Sequence, residues 1–208
     1  YDPEKAIVEI APRPGEHHIR HNDILQAIEK HKDSLSVVLM GGVNYYSGQV
    51  LKMQSIAKAA HNAGAYAGFD LAHAAGNIAL QLHKWKVDFA CWCSYKYLNS
   101  GPGGVAGIYI HEKYARDTSM QRFAGWWGSK KETRFEMPPN FEAIPSAEGW
   151  QLSNAPILSM AAHKASLDIF KEAGLNNLIS KSKLLTGYLF FLLQAINKKQ
   201  EGFMEIIT

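Results

Sequence analysis

Two cysteines in 208 residues, without further ligand-type spacing around them, leave neither a disulfide framework nor a cysteine-based metal site. Cys91 and Cys93 stand two apart in a strand-like run, so by the period of a strand they share a face. A bridge between such same-strand neighbours is sterically poor, and no basic residue adjoins either thiol to activate it. Both read as unreactive core residues of a protein from a reducing cytoplasm. Long apolar runs are also missing. The longest, Tyr188-Leu-Phe-Phe-Leu-Leu-Gln-Ala-Ile196, is about half of the roughly 20 residues a membrane helix needs, and no secretory pattern is present, so no membrane partner is expected. Nor is charge concentrated: the formal net charge of +3 is spread without a basic block or aromatic-basic interleaving, which argues against nucleic acid. Small acidic metabolites remain open as ligands.

What is present is a hydrophobic fraction of 47%, enough for a sizeable core, arranged as strand-like runs that alternate with helical ones. The strand-like runs are 6–10, 36–40, 65–69, 87–93 and 105–110. Between them, Asp23 to Lys32 places Ile24, Leu25 and Ile28 on one face, and Gln49 to Asn62 does likewise with Ile56, Ala59 and Ala60. This alternation predicts an α/β fold with a mostly parallel sheet. From Thr118 to Gly149 the pattern stops, in a long segment broken by glycines and prolines that carries Trp126 and Trp127. Helical periodicity returns from Ile157 to Ala173, breaks at Gly174 and resumes to about Asn197. We read residues 1–156 as part of a large domain and 157–208 as a connecting helix and the beginning of a small one. A start at Tyr1 without methionine, and a close on Glu205-Ile-Ile-Thr208 that reads as the opening of a strand, suggest a piece of a longer protein.

Chemistry concentrates in Cys91-Trp-Cys-Ser-Tyr-Lys-Tyr-Leu-Asn-Ser-Gly-Pro-Gly-Gly104. There Lys96 leaves an apolar strand and is followed at once by a glycine-rich turn. A desolvated lysine is the usual amine with which a protein holds an aldehyde covalently. Upstream, Gly68-Phe-Asp-Leu-Ala-His-Ala-Ala-Gly76 sets Asp70 at the end of another strand. In an open α/β sheet ligands bind outside the carboxyl ends of the strands. A strand-end carboxylate and a strand-end lysine together are what pyridoxal phosphate needs, one to keep the pyridine nitrogen protonated and one to carry the aldehyde. Alone, Asp70 would read equally as a helix cap.

The flanking residues have two readings each. His73 stacks on a ring, bonds to Asp70 or is structural. Tyr95 donates to a phosphate or fills core space. The 101–104 turn lacks the Gly-Lys-Ser/Thr ending of a phosphate loop, so its simpler role is tight backbone packing behind Lys96. The indoles of Trp126 and Trp127 meet a ligand, a second subunit or the core. Asn154 is a turn residue or a ligand contact.

Five stretches, Gly42-Val-Asn-Tyr-Tyr-Ser-Gly-Gln49, Phe69 to Asn77, Cys91 to Gly104, Gly125-Trp-Trp-Gly128 and Leu152-Ser-Asn-Ala-Pro156, together resemble the kynureninases. These are fold-type I pyridoxal phosphate enzymes of the class V aminotransferase-like group. The resemblance runs in register over nearly the whole chain. Its Asp-x-Ala-His element and its lysine before Gly-x-Gly-Gly are shared across the wider group, whereas Cys-Trp-Cys-Ser-Tyr-Lys and Gly-Trp-Trp-Gly are specific to kynureninases.

The resemblance implies a three-layer α/β/α large domain, a homodimer, and hydrolytic Cβ–Cγ cleavage of L-kynurenine or its 3-hydroxy form. It implies that Lys96 binds the cofactor aldehyde, that Asp70 pairs with the pyridinium, and that His73 lies at the cofactor. Tyr95 would contact the phosphate and assist proton transfer, with Trp126 and Asn154 completing the site, from this subunit or a second one. Gly41 stands where some members carry a phosphate-facing serine, leaving only a backbone amide. Residues that wrap the phosphate and bind the substrate carboxylate would lie outside these 208, so the isolated piece is expected to be inactive. The rival reading is a cysteine desulfurase or another class V aminotransferase-like enzyme. A desulfurase would be expected to carry histidine before the lysine and a cysteine after it. Here Tyr95 precedes Lys96 and no cysteine follows Cys93.

Overall fold

The computed structural model describes residues 2–200 and 204–207. Its centre is a four-stranded sheet in the order β1 (Val37–Gly41), β2 (Tyr66–Asp70), β3 (Phe89–Trp92), β4 (Gly107–Ile110). β1, β2 and β3 are parallel and β4 runs antiparallel to β3, so the expected α/β class with a mostly parallel sheet holds. The expected strand over 6–10 does not form. Asp2 instead accepts a hydrogen bond from the Glu4 amide and caps a short helix α1 (Pro3–Ala6), with Pro3 in the first turn, where a missing N–H matters least. The residues that follow belong to no strand, although Val8 and Ile10 lie beside β1 and share with it a cavity of about 70 Å³. Only Ile10 of this run packs against the core, while Ile7 and Val8 stay exposed.

Alternation along the strands gives the sheet two unlike faces. Val38, Ala67, Phe69 and Ala90 are buried beneath α2 (His21–Lys30) and α3 (Met53–Asn62), which contribute Ile24, Ile28, Ile56, Ala57 and Ala60 to the same core. Ile24, Ile56 and Phe69 are wholly buried, each worth about 1.5–3 kcal/mol in apolar transfer. The alternate residues Val37, Leu39, Tyr66, Cys91 and Ile108 stay exposed. Cys91 is thus a surface thiol rather than the core residue expected. Helix α3 starts at Met53, later than the periodicity from Gln49 suggests. Before it, Val50 bridges Val43, and the Gln49 side chain accepts from the Ile19 amide (3.0 Å) and donates to the Ile19 carbonyl (2.7 Å).

Asp88, 2% exposed just ahead of β3, ties the amino-terminal side of the sheet together. Its Oδ2 accepts from the Ala67 amide and lies 2.7 Å from His61 Nε2, while Lys113 Nζ, on the short helix α4 (Glu112–Ala115), lies 2.8 Å from Oδ1. Residues 118–149 are irregular as expected, with a 3-10 turn at Arg134–Glu136 and another beginning at Ala147. Arg134, buried, donates to the carbonyls of Trp127 (2.7 Å) and Ser129 (3.0 Å), and its guanidinium lies 4.4 Å from the centre of the Trp127 ring. The chain ends in α5 (Ile157–Ala173) and α6 (Leu175–Lys199), separated by Gly174 at φ +77°, a conformation that favours glycine. Neither helix has a buried residue, and Ser166 Oγ of α5 donates to the Leu98 carbonyl at 2.6 Å. Residues 204–207 carry no regular structure, and Thr208 of the expected strand opening lies outside the described residues.

Candidate active site

Register aligns the ends of three strands: Gly41 of β1 stands opposite Asp70 of β2, and Asp70 opposite Cys91 of β3. From that row the chain turns through 93–100, and Lys96 sits on the turn. The turn is closed at its base by buried Ser94 and Ser100, whose hydroxyls lie 2.7 Å apart, with Ser94 Oγ also donating to the Val105 carbonyl. Gly104 makes this closure feasible. A Cβ there would stand 1.9 Å from Ser100 Oγ and 2.9 Å from Ser94 Oγ. The tight packing expected of this turn holds at Gly104, whereas Gly101 and Gly103 have open space and are set apart by their positive φ.

Lys96 is half-buried, and its Nζ lies 2.9 Å from His73 Nε2. His73 therefore pairs with the lysine and not with Asp70. Its ring lies between Tyr45 (centroids 6.2 Å apart, tilted) and Tyr97 (6.1 Å, edge-on). Asp70 Oδ1 accepts from the Ala72 amide at 2.8 Å, and among the described residues Oδ2 has no hydrogen-bond partner. Burial and the neighbouring Asp70 charge push the Cys91 thiol up, which keeps it protonated and a poor nucleophile.

Gly41, Asp70, His73 and Lys96 line one cleft of about 410 Å³ together with Val43, Asn44, Tyr45 and Ala72. Four of the seven residues expected at the site are thus brought together. The other three are placed elsewhere. Tyr95, although adjacent to Lys96, is 53% exposed and outside the cleft lining. Trp126 packs edge-on to Phe135 (5.8 Å) and borders a different cavity of about 280 Å³, and Asn154 is exposed beside Ser153. Asn44 and Tyr45 are cleft residues that reasoning on single residue types passes over. Their signal is the loop chemistry of 42–49, whose Asn and Gly mark a turn beside the strand end.

The donor set suits pyridoxal phosphate: an amine held by an imidazole rather than a carboxylate, an open carboxylate oxygen, and room for a small ring. Gly41 leaves space as well, since a Cβ there would meet only the Val43 carbonyl at 3.7 Å.

The family model described as Aminotransferase class-V matches residues 3–201. The chain belongs to the aminotransferase class-V family. Within it, the sequence is 56% identical over all 208 residues to a kynureninase from Flavobacterium psychrophilum, covering 49% of that protein. The chain spans about half the length of the curated relatives it matches. Solved structures of similar fold are more distant in sequence. An alanine–glyoxylate aminotransferase from Nostoc superposes with a TM-score of 0.60 at 17% identity, covering 84% of this chain and 44% of that one. A cysteine desulfurase from Thermococcus onnurineus gives 0.56 at 19%, covering 81% and 40%. At such identities these two speak to the fold alone, so the desulfurase reading keeps no support beyond shared architecture. Among the described residues no helix is long and apolar enough to cross a membrane.

Proposed function

We propose that the protein is a pyridoxal phosphate-dependent kynureninase, which hydrolyses the Cβ–Cγ bond of L-kynurenine or 3-hydroxykynurenine to anthranilate or 3-hydroxyanthranilate and L-alanine. The observation that carries this reading is the 56% identity to a kynureninase across the whole chain, with Asp70, His73 and Lys96 facing one cleft. When bound, pyridoxal phosphate supplies an aldehyde for an amine and a ring that takes up the electron pair released at the substrate's α carbon. The chain's own residues do the rest. Lys96 Nζ would be the amine that holds the aldehyde, and when free of it would be the base positioned to take the α proton and return it. His73 Nε2, 2.9 Å away, orients that amine by hydrogen bonding. Asp70, with Oδ2 open, holds a proton on the pyridine nitrogen by charge and hydrogen bonding. Water then adds to the γ-carbonyl, the Cβ–Cγ bond breaks with its electron pair left on Cβ, the acyl carbon departs as the carboxyl group of anthranilate, and Cβ takes up a proton to become the methyl group of alanine.

The remaining roles are proposed on the same footing. Trp126, 45% exposed, and the exposed Asn154 would complete the site across a homodimer interface, and Tyr95 would reach the phosphate when that partner is in place. A division near residue 156 is supported by α5 and α6, neither of which has a buried residue. The cytoplasm is the proposed compartment, given two free thiols. The test is release of fluorescent anthranilate from L-kynurenine by the full-length, pyridoxal phosphate-loaded protein. Turnover supports the reading, and alanine formation from cysteine without anthranilate release would replace it by the desulfurase one.

A further inference from the structure

Tyr45 is 78% exposed, yet the loop that carries it is tightly held. Asn44 Oδ1 accepts from the amides of Tyr46 and Ser47, both at 2.9 Å. The Asn44 amide donates to the Gln49 carbonyl at 2.9 Å, Val43 pairs with Val50, and Gln49 is clamped to the backbone of Ile19. A loop whose polar groups are satisfied in this way fixes the position of its tip. The two side chains it displays, Tyr45 and Tyr46, are both exposed aromatics, which a rigid loop has no packing reason to carry. They differ in one respect: Tyr45 lines the Lys96 cleft and Tyr46 does not.

Val43, Asn44 and Tyr45 of the loop line that cleft together with Asp70, Ala72 and His73 after β2 and with Lys96. Tyr45 is an exposed large aromatic of the lining, whereas Lys96 and His73 are half-buried, so its ring stands at the rim and meets whatever is bound outermost. Its exposure leaves the ring, tilted 39° to that of His73 at 6.2 Å, open to an offset or edge-on aromatic partner. We infer that Tyr45 is a specificity-determining residue that positions the aryl ring of the substrate by aromatic contact, the aniline ring in the case of kynurenine. This rests on the proposed kynureninase function for its substrate, and on the loop geometry for the residue.

Three variants of the full-length, pyridoxal phosphate-loaded protein test it: Tyr45→Ala, Tyr45→Phe and, on the same loop, Tyr46→Ala. Expected for Tyr45→Ala is a KM for L-kynurenine about tenfold higher, with kcat little changed and with the cofactor titration near 420 nm unaltered. Tyr45→Phe keeps the wild-type KM, since the ring and not the hydroxyl is used, and Tyr46→Ala behaves as wild type. A merely structural role would move Tyr46→Ala and Tyr45→Ala together, which would overturn the inference, as would a Tyr45→Ala enzyme with unchanged KM. A calorimetric titration with anthranilate reads the same contact without turnover. If the wild type fails to cleave kynurenine but binds anthranilate about tenfold more tightly than Tyr45→Ala, the aryl site stands and the proposed reaction falls. If Tyr45→Ala binds anthranilate as the wild type does, or neither binds it, the aryl site falls.

Discussion

Asp70 closes β2 on the carboxyl side of the sheet, and Asp88 precedes β3 on the opposite side. Asp88 is 2% exposed and meets a backbone amide, an imidazole and an ammonium. Burial opposes its ionisation, but the Ala67 amide, Lys113 and His61 more than offset this and hold the carboxyl below the usual carboxylate range. Asp70 is exposed and takes one amide on one oxygen. A carboxylate with both oxygens engaged joins strands and helices, whereas one with an open oxygen at a strand's carboxyl end is available to a ligand. The same side chain on one sheet thus serves architecture at one end and is open to a ligand at the other, and what separates them is the number of partners that converge on it.

Substitution at the open end should leave the fold and remove the chemistry. The largest effect is expected for Lys96→Arg in the full-length loaded protein: anthranilate release falls by about 10³-fold or more, with little change in the thermal midpoint. Borohydride reduction and peptide mapping of the wild type should place the pyridoxyl group on Lys96, and labelling of another lysine would remove the basis of the site. Asp70→Asn keeps size but cannot hold the pyridinium proton, so turnover should drop by about 10²–10³-fold while stability stays within about 0.5 kcal/mol.

Asp88→Asn should do the reverse. Loss of the charge facing His61 and the Ala67 amide is expected to cost about 2–3 kcal/mol in a denaturant titration, with Lys113 discounted because its own side chain is 44% exposed. Should both variants lose stability equally, the contrast between the two ends fails.

The pH dependence sharpens the same contrast. Because the folded-state pKa of Asp88 is lowered, its contribution is full above the unfolded carboxylate value of roughly 3.9 and is lost as pH falls through the lower folded value. Wild-type stability should therefore decline over that acid range more steeply than that of Asp88→Asn, as thermal midpoints measured from pH 6 down to pH 2 would show. Smaller still, Gly104→Ala forces apart the serine pair behind Lys96 and should cost about 1–3 kcal/mol. Smallest is Gly41→Ser, expected within about 0.5 kcal/mol of wild type because its Cβ meets only the Val43 carbonyl at 3.7 Å, with pyridoxal phosphate bound a few-fold more tightly if the new hydroxyl reaches the phosphate.

Much of the frame was legible. The runs at 36–40, 65–69, 87–93 and 105–110 became strands, and the helical pattern resumed and broke where Gly174 indicated. The run at 6–10 misled because an apolar stretch lying largely exposed beside a sheet and one hydrogen-bonded into it have the same composition. Trp126 and Asn154 show the complementary limit, since within one chain they lie away from the Lys96 cleft and residue type alone does not say which subunit's site they join. Asp88 gave no sign of its role, because a strand-start aspartate becomes a junction only when Ala67, His61 and Lys113 converge on it.

Residue chemistry and local backbone preference were determined by the sequence itself. A lysine before a glycine turn, an aspartate closing an apolar run and a glycine between two helices act through neighbours within a few positions, and short-range sterics and periodicity suffice to read them. Tertiary structure alone decided that Gly41, Asp70 and Cys91 stand in one row, that His73 and not Asp70 meets Lys96, and that Tyr45 rather than Tyr46 faces the cleft. Those juxtapositions join residues far apart in the chain, and strand register, set by packing against α2 and α3, selects among many arrangements that satisfy the local preferences equally well.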